Sequence, residues 1–419
     1  MKRKLLMIGN GMAGVRCIEE ILKRNKDLFE ITIIGDEPYP NYNRIMLSNV
    51  LQGKTNFDEI NINDWNWYKE NQITLLTNEK VSKIHTTEKK VETEKGKTLL
   101  YDELILATGS SAFILPIPGN DLQGVFGFRT IQDTEFMIDY AKKYKKAVVI
   151  GGGLLRLEAA RGLINRGMEV HVVHLLPTLM EQQLDETASK MLKKDLEEQG
   201  MNFLMEKQTI SINGTYRVEG ISFSDGTSLD CDLVVMAVGI RPNISLAKEA
   251  GIDANRAIVV NDFMQTSEPS IYAVGECAEH NGTTYGLVAP LYEQGIVLAN
   301  HMTGNLTNGY KGSILSTQLK VSGCDLFSGG LIHEEENMQA IIVNDQFAGL
   351  YKKIIVKDEK VVGVVLYGDA SDGNRLLKNE TNIREYTSAS ILHKSGEDSG
   401  EDFVLTFYPK LGYECSNGN

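Results

Sequence analysis

Two stretches constrain this chain more than anything else in its 419 residues. In each, an apolar strand runs into a glycine-rich turn, a helix and a second strand. Lys4-Leu5-Leu6-Met7-Ile8 is the first strand, a short apolar run of the kind covered on both faces in a parallel sheet. Gly9-Asn10-Gly11-Met12-Ala13-Gly14 follows. Val15, Ile18, Ile21 and Leu22 then recur at helical spacing, with Glu19, Glu20, Lys23 and Arg24 on the polar side. Ile31-Thr32-Ile33-Ile34 is the next strand. The pattern returns at Ala147-Val148-Val149-Ile150, with the turn Gly151-Gly152-Gly153-Leu154-Leu155-Arg156. A helix is expected over 157–166 and a strand over Val170-His171-Val172-Val173-His174. Two such starts predict an α/β chain with two dinucleotide-binding, Rossmann-like domains.

The spacing carries chemistry. In Gly9-x-Gly11-x-x-Gly14 the first glycine permits the tight turn and the second lets backbone approach a pyrophosphate. The third lets the helix pack on the strand. The helix N-terminus adds NH groups and positive potential for a phosphate. Glu37, just past the second strand, stands where a carboxylate can accept hydrogen bonds from ribose hydroxyls.

Elsewhere, residues 81–101 alternate like a small β-meander and 103–107 return to a buried strand. From near Ser313, residues 315–321, 339–343, 350–356 and 361–366 read as antiparallel strands, and 372–379 as a helix. From Ser395 the pattern dissolves into a polar, acidic linker. The last residues, 403–419, show no recognisable partner element. The net charge, 43 − 56 = −13, speaks against general phosphate-backbone binding, so no nucleic-acid partner is expected. No stretch approaches the roughly 18 apolar residues of a membrane span. The basic N-terminus lacks a signal peptide's apolar region, so a soluble cytoplasmic protein is expected. Cys17, Cys231, Cys277, Cys324 and Cys415 are too scattered for a disulfide scaffold, a zinc ribbon or a local dithiol. The seven histidines show no metal-ligand spacing, and no metal site is expected.

Further motifs narrow the reading. Tyr101-Asp102-Glu103-Leu104-Ile105-Leu106-Ala107-Thr108-Gly109 ends a strand in an Ala-Thr-Gly turn. Ile271-Tyr272-Ala273-Val274-Gly275-Glu276 ends another in Gly-acid, followed by a helical stretch beginning near Leu287. With the two glycine-rich turns, in this order, they resemble flavoproteins of the pyridine nucleotide-disulfide oxidoreductase type over about 1–390. That resemblance implies FAD at Gly9, Gly11 and Gly14, NAD(P)H at Gly151 and Gly153, and Gly275-Glu276 near the flavin's ribityl and phosphate region. It also places Glu37, Arg44, Ser48, Thr108, Gly109, Arg129 and Gly239 among the cofactor contacts. Pro290-Leu291-Tyr292 would open a helix whose dipole stabilises negative charge on a reduced flavin. The segment Gly35 to Ser48 has no cysteine, which disfavours disulfide reductase and thiol peroxidase chemistry.

Asn10 to Glu20, Val274 to His280 and Tyr285 to Gly295 are similar to the large subunit of assimilatory NAD(P)H nitrite reductases and to the electron-transfer subunit of assimilatory nitrate reductase. The implied domains are a discontinuous FAD domain (1–117 and 241–310), an NAD(P) domain (118–240), a C-terminal α+β domain (311–394) and an irregular tail (395–419). The implied activity is hydride transfer from NAD(P)H to the flavin, then one-electron transfer to an iron–sulfur or sirohaem protein or domain. The flavin carries this chemistry. A homodimer is left open. Without local cysteine clusters the chain is not expected to reduce nitrite alone. A stand-alone reductase of a small iron protein such as rubredoxin, and a non-catalytic flavin-binding remnant, remain as alternatives.

Two residues depart from the pattern. Arg156 stands where the second turn should have its third glycine, and a long side chain there is expected to clash and weaken nicotinamide binding, unless its guanidinium meets the cofactor's phosphates. His174 ends the second strand where NAD-preferring folds often carry Asp or Glu, so strict NADH preference is not implied. Nitrite-reductase-like sequences tolerate histidine there. Glu158 either faces the nicotinamide and flavin or merely complements the helix dipole. Cys277, beside Glu276, is expected to be buried and inert.

Overall fold

A computed structural model describes residues 2–313, 316–321, 323–378 and 406–407. The chain divides into two compact units. One is Met1–Pro116, Gly124–Tyr144 and Val235–Ser313; the other is Ile117–Gln123, Lys145–Val234 and Ile314–Asn419.

The first unit is built on a five-stranded parallel sheet. Its order is Ile271–Ala273, Glu103–Leu106, Arg3–Ile8, Phe29–Ile34, Thr74–Leu76. The central strand pairs Leu5 with Ile31 on one side and with Glu103 on the other. Its residues Leu5 to Ile8 are buried, as a strand covered on both faces requires. Helix Met12–Arg24 buries Val15, Cys17, Ile18 and Ile21 against this sheet's core and carries Glu20 at its polar edge, ion-paired to Arg16, Lys23 and Arg24. Helix Val288–Met302 packs closely on it: a Cβ built on Gly295 would stand 3.4 Å from the Cys17 backbone. The expected meander is a three-stranded antiparallel sheet, Val81–His85, Lys90–Thr93 and Thr98–Leu100.

The second unit repeats the first unit's local order. Lys146–Ile150 pairs in parallel with Glu169–Val173, which pairs in parallel with Asn202–Leu204. Helix Leu154–Asn165 connects the first two strands and buries Leu157, Ala159, Ala160 and Leu163. The C-terminal part is an antiparallel sheet, ordered Ser316–Val321, Cys324–Gly330, Lys360–Tyr367, Leu350–Lys357, Gln339–Asp345, Thr406–Phe407. Helix Gly373–Lys378 covers it, packing Leu376 with Phe327, Val364 and Leu366. Asn379, expected to end that helix, lies outside the described residues.

Two details differ from the sequence reading. Cys324–Gly330 is a central strand that the composition conceals: it has no β-branched residue and ends in two glycines. Neighbours on both sides hold it and bury Leu326 and Phe327. Thr406–Phe407, expected to lack a partner element, pairs with Ile341–Ile342. Backbone pairing to an edge strand needs no sequence pattern. The rest of 395–419 lies outside the described residues.

Gly9 holds the first unit's turn together. It has φ +108°, and a Cβ built on it would fall 2.1 Å from the Ala107 carbonyl oxygen. Gly9→Ala should therefore destabilise the protein by about 1–3 kcal/mol from overlap alone, with added strain from the positive φ. Chemical denaturation checks this; an unchanged midpoint would refute it.

Candidate functional site

The strands bring the two turns out at the ends of their sheets, and each turn starts a helix. In the first unit Gly9 N–H donates to the Ile34 carbonyl at 2.8 Å and Ala107 N–H to the Ile8 carbonyl at 2.8 Å, so three strand ends converge beside the turn. Gly14 serves close packing: a Cβ there would gain contacts of 2.7 Å to the Ala107 Cβ and 2.8 Å to the Met7 sulfur. Gly11 serves something else. It is the N-cap of helix Met12–Arg24, makes no side-chain cap, and a Cβ on it would meet nothing within 4 Å. Asn10 pins the turn from the side, accepting from the Tyr68 hydroxyl at 2.8 Å and from the Asn41 amide, through its own carbonyl, at 3.0 Å.

The charged first-unit candidates gather into two networks. Glu37 accepts from the Tyr42 hydroxyl at 2.7 Å and pairs with Arg44, which also donates to the Arg129 carbonyl at 3.0 Å. Glu276 pairs with Arg129 and accepts from the Ser110 hydroxyl at 2.8 Å, while Arg129 Nε donates to the Ser110 carbonyl at 2.6 Å. Thr108 and Asn243 hold each other through reciprocal bonds of 2.8 Å, fixing the Ala-Thr-Gly turn in which Gly109 has φ +62°. Ser48 is buried and donates to the Ile45 carbonyl at 3.2 Å. Gly239, in this unit, accepts through its carbonyl from Phe113 N–H at 3.0 Å.

Gly275, at φ +92°, sits on the first helix, where a Cβ would come within 3.0 Å of Ala13. Its N–H donates to Gln294 Oε1 at 3.1 Å. Gln294 is fully buried and its Nε2 has no hydrogen-bond partner. Pro290, Leu291 and Tyr292 lie within the opening turns of helix Val288–Met302, which starts two residues before Pro290 and has no side-chain cap on Leu287. Uncapped N–H groups at a helix start attract negative charge. Cys277 is buried, its thiol donating to the Leu106 and Val274 carbonyls at 3.4 and 3.3 Å, and burial pushes its pKa up.

In the second unit Gly153 caps helix Leu154–Asn165, again without a side-chain cap. Arg156 does not leave the space above it open. The side chain folds back over the turn: a Cβ on Gly153 would lie 2.4 Å from Arg156 Nη1, and one on Gly151 would lie 2.9 Å from its Nε. Nε is buried without a hydrogen-bond partner. Burial lowers the guanidinium's pKa and the Glu181 charge opposes that shift. The His174 ring lies against Gly152, with Nε2 3.3 Å from Glu181 Oε2, although neither atom makes a hydrogen bond. Glu158 is buried on the same helix. The sequence reading missed Glu181, which follows the strand end by several residues in an irregular loop. It also missed Ser110, Asn243 and Gln294, whose roles come from contacts distant in sequence.

Both turns fit a phosphate-bearing dinucleotide. The open space over Gly11 and the orphaned Gln294 amide suit one in the first unit, and the orphaned Arg156 Nε suits an anion in the second. Among the described residues, no group of three or more His, Cys, Asp and Glu side chains is placed to hold a metal ion, and no helix is long and apolar enough to cross a membrane.

Comparison with known proteins places these features in a family. Residues 3–301 match the family model for pyridine nucleotide-disulphide oxidoreductase, and residues 316–380 match that for the rubredoxin NAD+ reductase C-terminal domain. The NAD(P)H nitrite reductase of Bacillus subtilis is 59% identical over 95% of this chain and 50% of its own length. The assimilatory nitrate reductase electron transfer subunit of the same organism is 53% identical over 96% of this chain and 52% of its own. The chain thus spans about half the length of these relatives. The crystal structure of NADH:rubredoxin oxidoreductase from Clostridium acetobutylicum is 28% identical, with a TM-score of 0.75 over 92% of this chain and 96% of that one.

Gly11→Val should abolish flavin retention, because its branched side chain fills the open space over the turn. Absorbance of the purified variant and of its heat-released supernatant checks this; a yellow variant would refute it. Cys17 and Cys231, with pKa values pushed by burial to about 12, and Cys277 should resist iodoacetamide in the native protein at pH 8 and react after denaturation. Mass spectrometry of native-state labelling reads this out, and rapid native labelling of Cys17 would refute it.

Proposed function

Because the chain belongs to the pyridine nucleotide-disulphide oxidoreductase family, we propose that it is an FAD-dependent NAD(P)H oxidoreductase that feeds electrons to an iron–sulfur or sirohaem acceptor in nitrite or nitrate assimilation. The observation that carries this reading is the first unit's turn. Gly9 and Gly14 are needed for packing, but Gly11 is glycine only for open space, next to a helix start without a side-chain cap. Bound FAD would supply the hydride-accepting and one-electron-donating chemistry.

The chain's own residues bind and orient. Amides of the Gly9–Gly14 turn receive the pyrophosphate, and Glu37 accepts from ribose hydroxyls while Tyr42 and Arg44 fix its position. Glu276 is held by Ser110 and Arg129 for a role at the ribityl chain, and Arg129 and Arg44 bring positive charge towards the phosphates. Gln294 sets the Gly275-Glu276 turn through the Gly275 N–H. Helix Val288–Met302 directs its uncapped N–H groups, and its positive end, at negative charge on the bound group. The second turn, Gly151 to Arg156, receives the nicotinamide dinucleotide. Cys17, Cys231 and Cys277 take no part in the chemistry, because all three are buried with raised pKa values.

The rubredoxin-reductase-type match over residues 316–380 favours a second reading, in which a rubredoxin-like iron protein is the acceptor. Anaerobic mixing of the flavin-loaded protein with NADH and NADPH, followed by acceptor assays, decides among these. Bleaching of the flavin band by either nucleotide is expected, with no ammonia formed from nitrite by this chain alone. A flavin band that stays unbleached would overturn the oxidoreductase reading. Rapid turnover with rubredoxin alone would favour the second acceptor.

A further inference from the structure

The two glycine-rich turns share their first two motif glycines and part at the third, which is Gly14 in the first turn and Arg156 in the second. Over Gly11, in the first unit, a Cβ would meet nothing within 4 Å. Over Gly153, the corresponding glycine of the second, the same construction falls 2.4 Å from Arg156 Nη1. The Arg156 guanidinium thus covers the ground from which a pyrophosphate approaches such a turn. That is an unfavourable place for a cation, because the N–H groups opening helix Leu154–Asn165 already carry positive potential and no side chain caps them. Nε is also buried with no acceptor, a costly state for a hydrogen-bond donor. Among the described residues, the carboxylate whose charge acts on the guanidinium is Glu181, which stands 3.3 Å from Nε2 of the nine-tenths-buried His174. His174 Nε2 has no hydrogen-bond partner either, and its ring rests on Gly152 of the same turn. Turn amides and guanidinium both call for one thing: an anion between them.

We propose that Arg156 is a phosphate ligand of the second turn, its guanidinium clamping the pyrophosphate of the nicotinamide dinucleotide against the turn amides. The inference rests on the reading of this turn as the dinucleotide site and deepens it. A guanidinium presents paired N–H donors that match two phosphate oxygens. Its flexible stem lets it move off Gly153 to meet phosphate oxygens above the turn. Glycine at this position would offer the amides alone. Binding here should therefore depend more steeply on charge than in a turn with three glycines.

Titration calorimetry of the flavin-loaded protein with ADP-ribose, which carries the pyrophosphate but no nicotinamide, tests this without turnover. Arg156→Gly removes both bulk and charge, Arg156→Met keeps the bulk, and Arg156→Lys keeps the charge without the fork. The Gly and Met variants should bind ADP-ribose roughly 10- to 100-fold more weakly than the unaltered protein, the range for losing hydrogen bonds to a charged group. The Lys variant should fall between, and the salt dependence of binding should flatten in Gly and Met alike. Thermal melts confirm that the variants are folded. ADP-ribose binding by Arg156→Gly as tight as, or tighter than, that of the unaltered protein would overturn the proposal and show the guanidinium to be an obstruction. An unaltered protein that binds no ADP-ribose at all would defeat the dinucleotide reading of the turn and this inference with it.

Discussion

The tightest glycine contact in the first unit is the one on which its other features depend. Gly9 meets the Ala107 carbonyl oxygen where a Cβ would stand only 2.1 Å away, and its positive φ turns the chain straight from strand into helix. That contact ties the end of Arg3–Ile8 to the end of Glu103–Leu106. Gly14 then brings the helix down onto Met7 and Ala107, and Gly275 rests on Ala13, the residue before Gly14. Three chain segments distant in sequence meet around one helix start because glycine permits the approach at each. A side chain at any of them would move the helix, and with it the N–H groups at its start.

Around this scaffold, charged side chains hold one another in place. Glu37 is fixed by Tyr42 and Arg44, and Glu276 by Ser110 and Arg129; the two networks join where Arg44 reaches the Arg129 carbonyl. Partly buried ion pairs of this kind add little stability once desolvation is counted, but they set direction. Each carboxylate is thereby held in one orientation by its neighbours. In the second unit the same device has a structural use. Lys353, almost fully buried, reaches Glu334 at 3.0 Å and Asp185 at 3.3 Å, and Asp185 also takes the Tyr351 hydroxyl at 2.5 Å while capping helix Glu186–Glu198. Removing one member would leave buried charge without a partner.

Much of this was readable from residues in order. The apolar run Lys4–Ile8, the spacing of Gly9, Gly11 and Gly14, and the return of the pattern at Ala147 and Gly151 depend on local geometry, which sequence states directly. The strand Cys324–Gly330 was not readable, since its stability comes from two neighbours and not from its own propensities. Nor was the pairing of Thr406–Phe407 with Ile341–Ile342.

The sequence by itself determined the two strand–turn–helix starts, the parallel sheets and the absence of a local dithiol, because period, glycine placement and cysteine spacing are properties of a linear chain. Only the tertiary structure decided what each special residue faces. It separated Gly11, which borders open space, from Gly9 and Gly14, which are packed. It brought Gln294 to the Gly275 N–H, and Glu181 to His174 across a loop. It laid Arg156 over its own turn, where sequence predicted a clash. The physical reason is the same throughout: a residue's type fixes what it can donate, accept or exclude, but its partner is chosen by distances that only the folded chain sets.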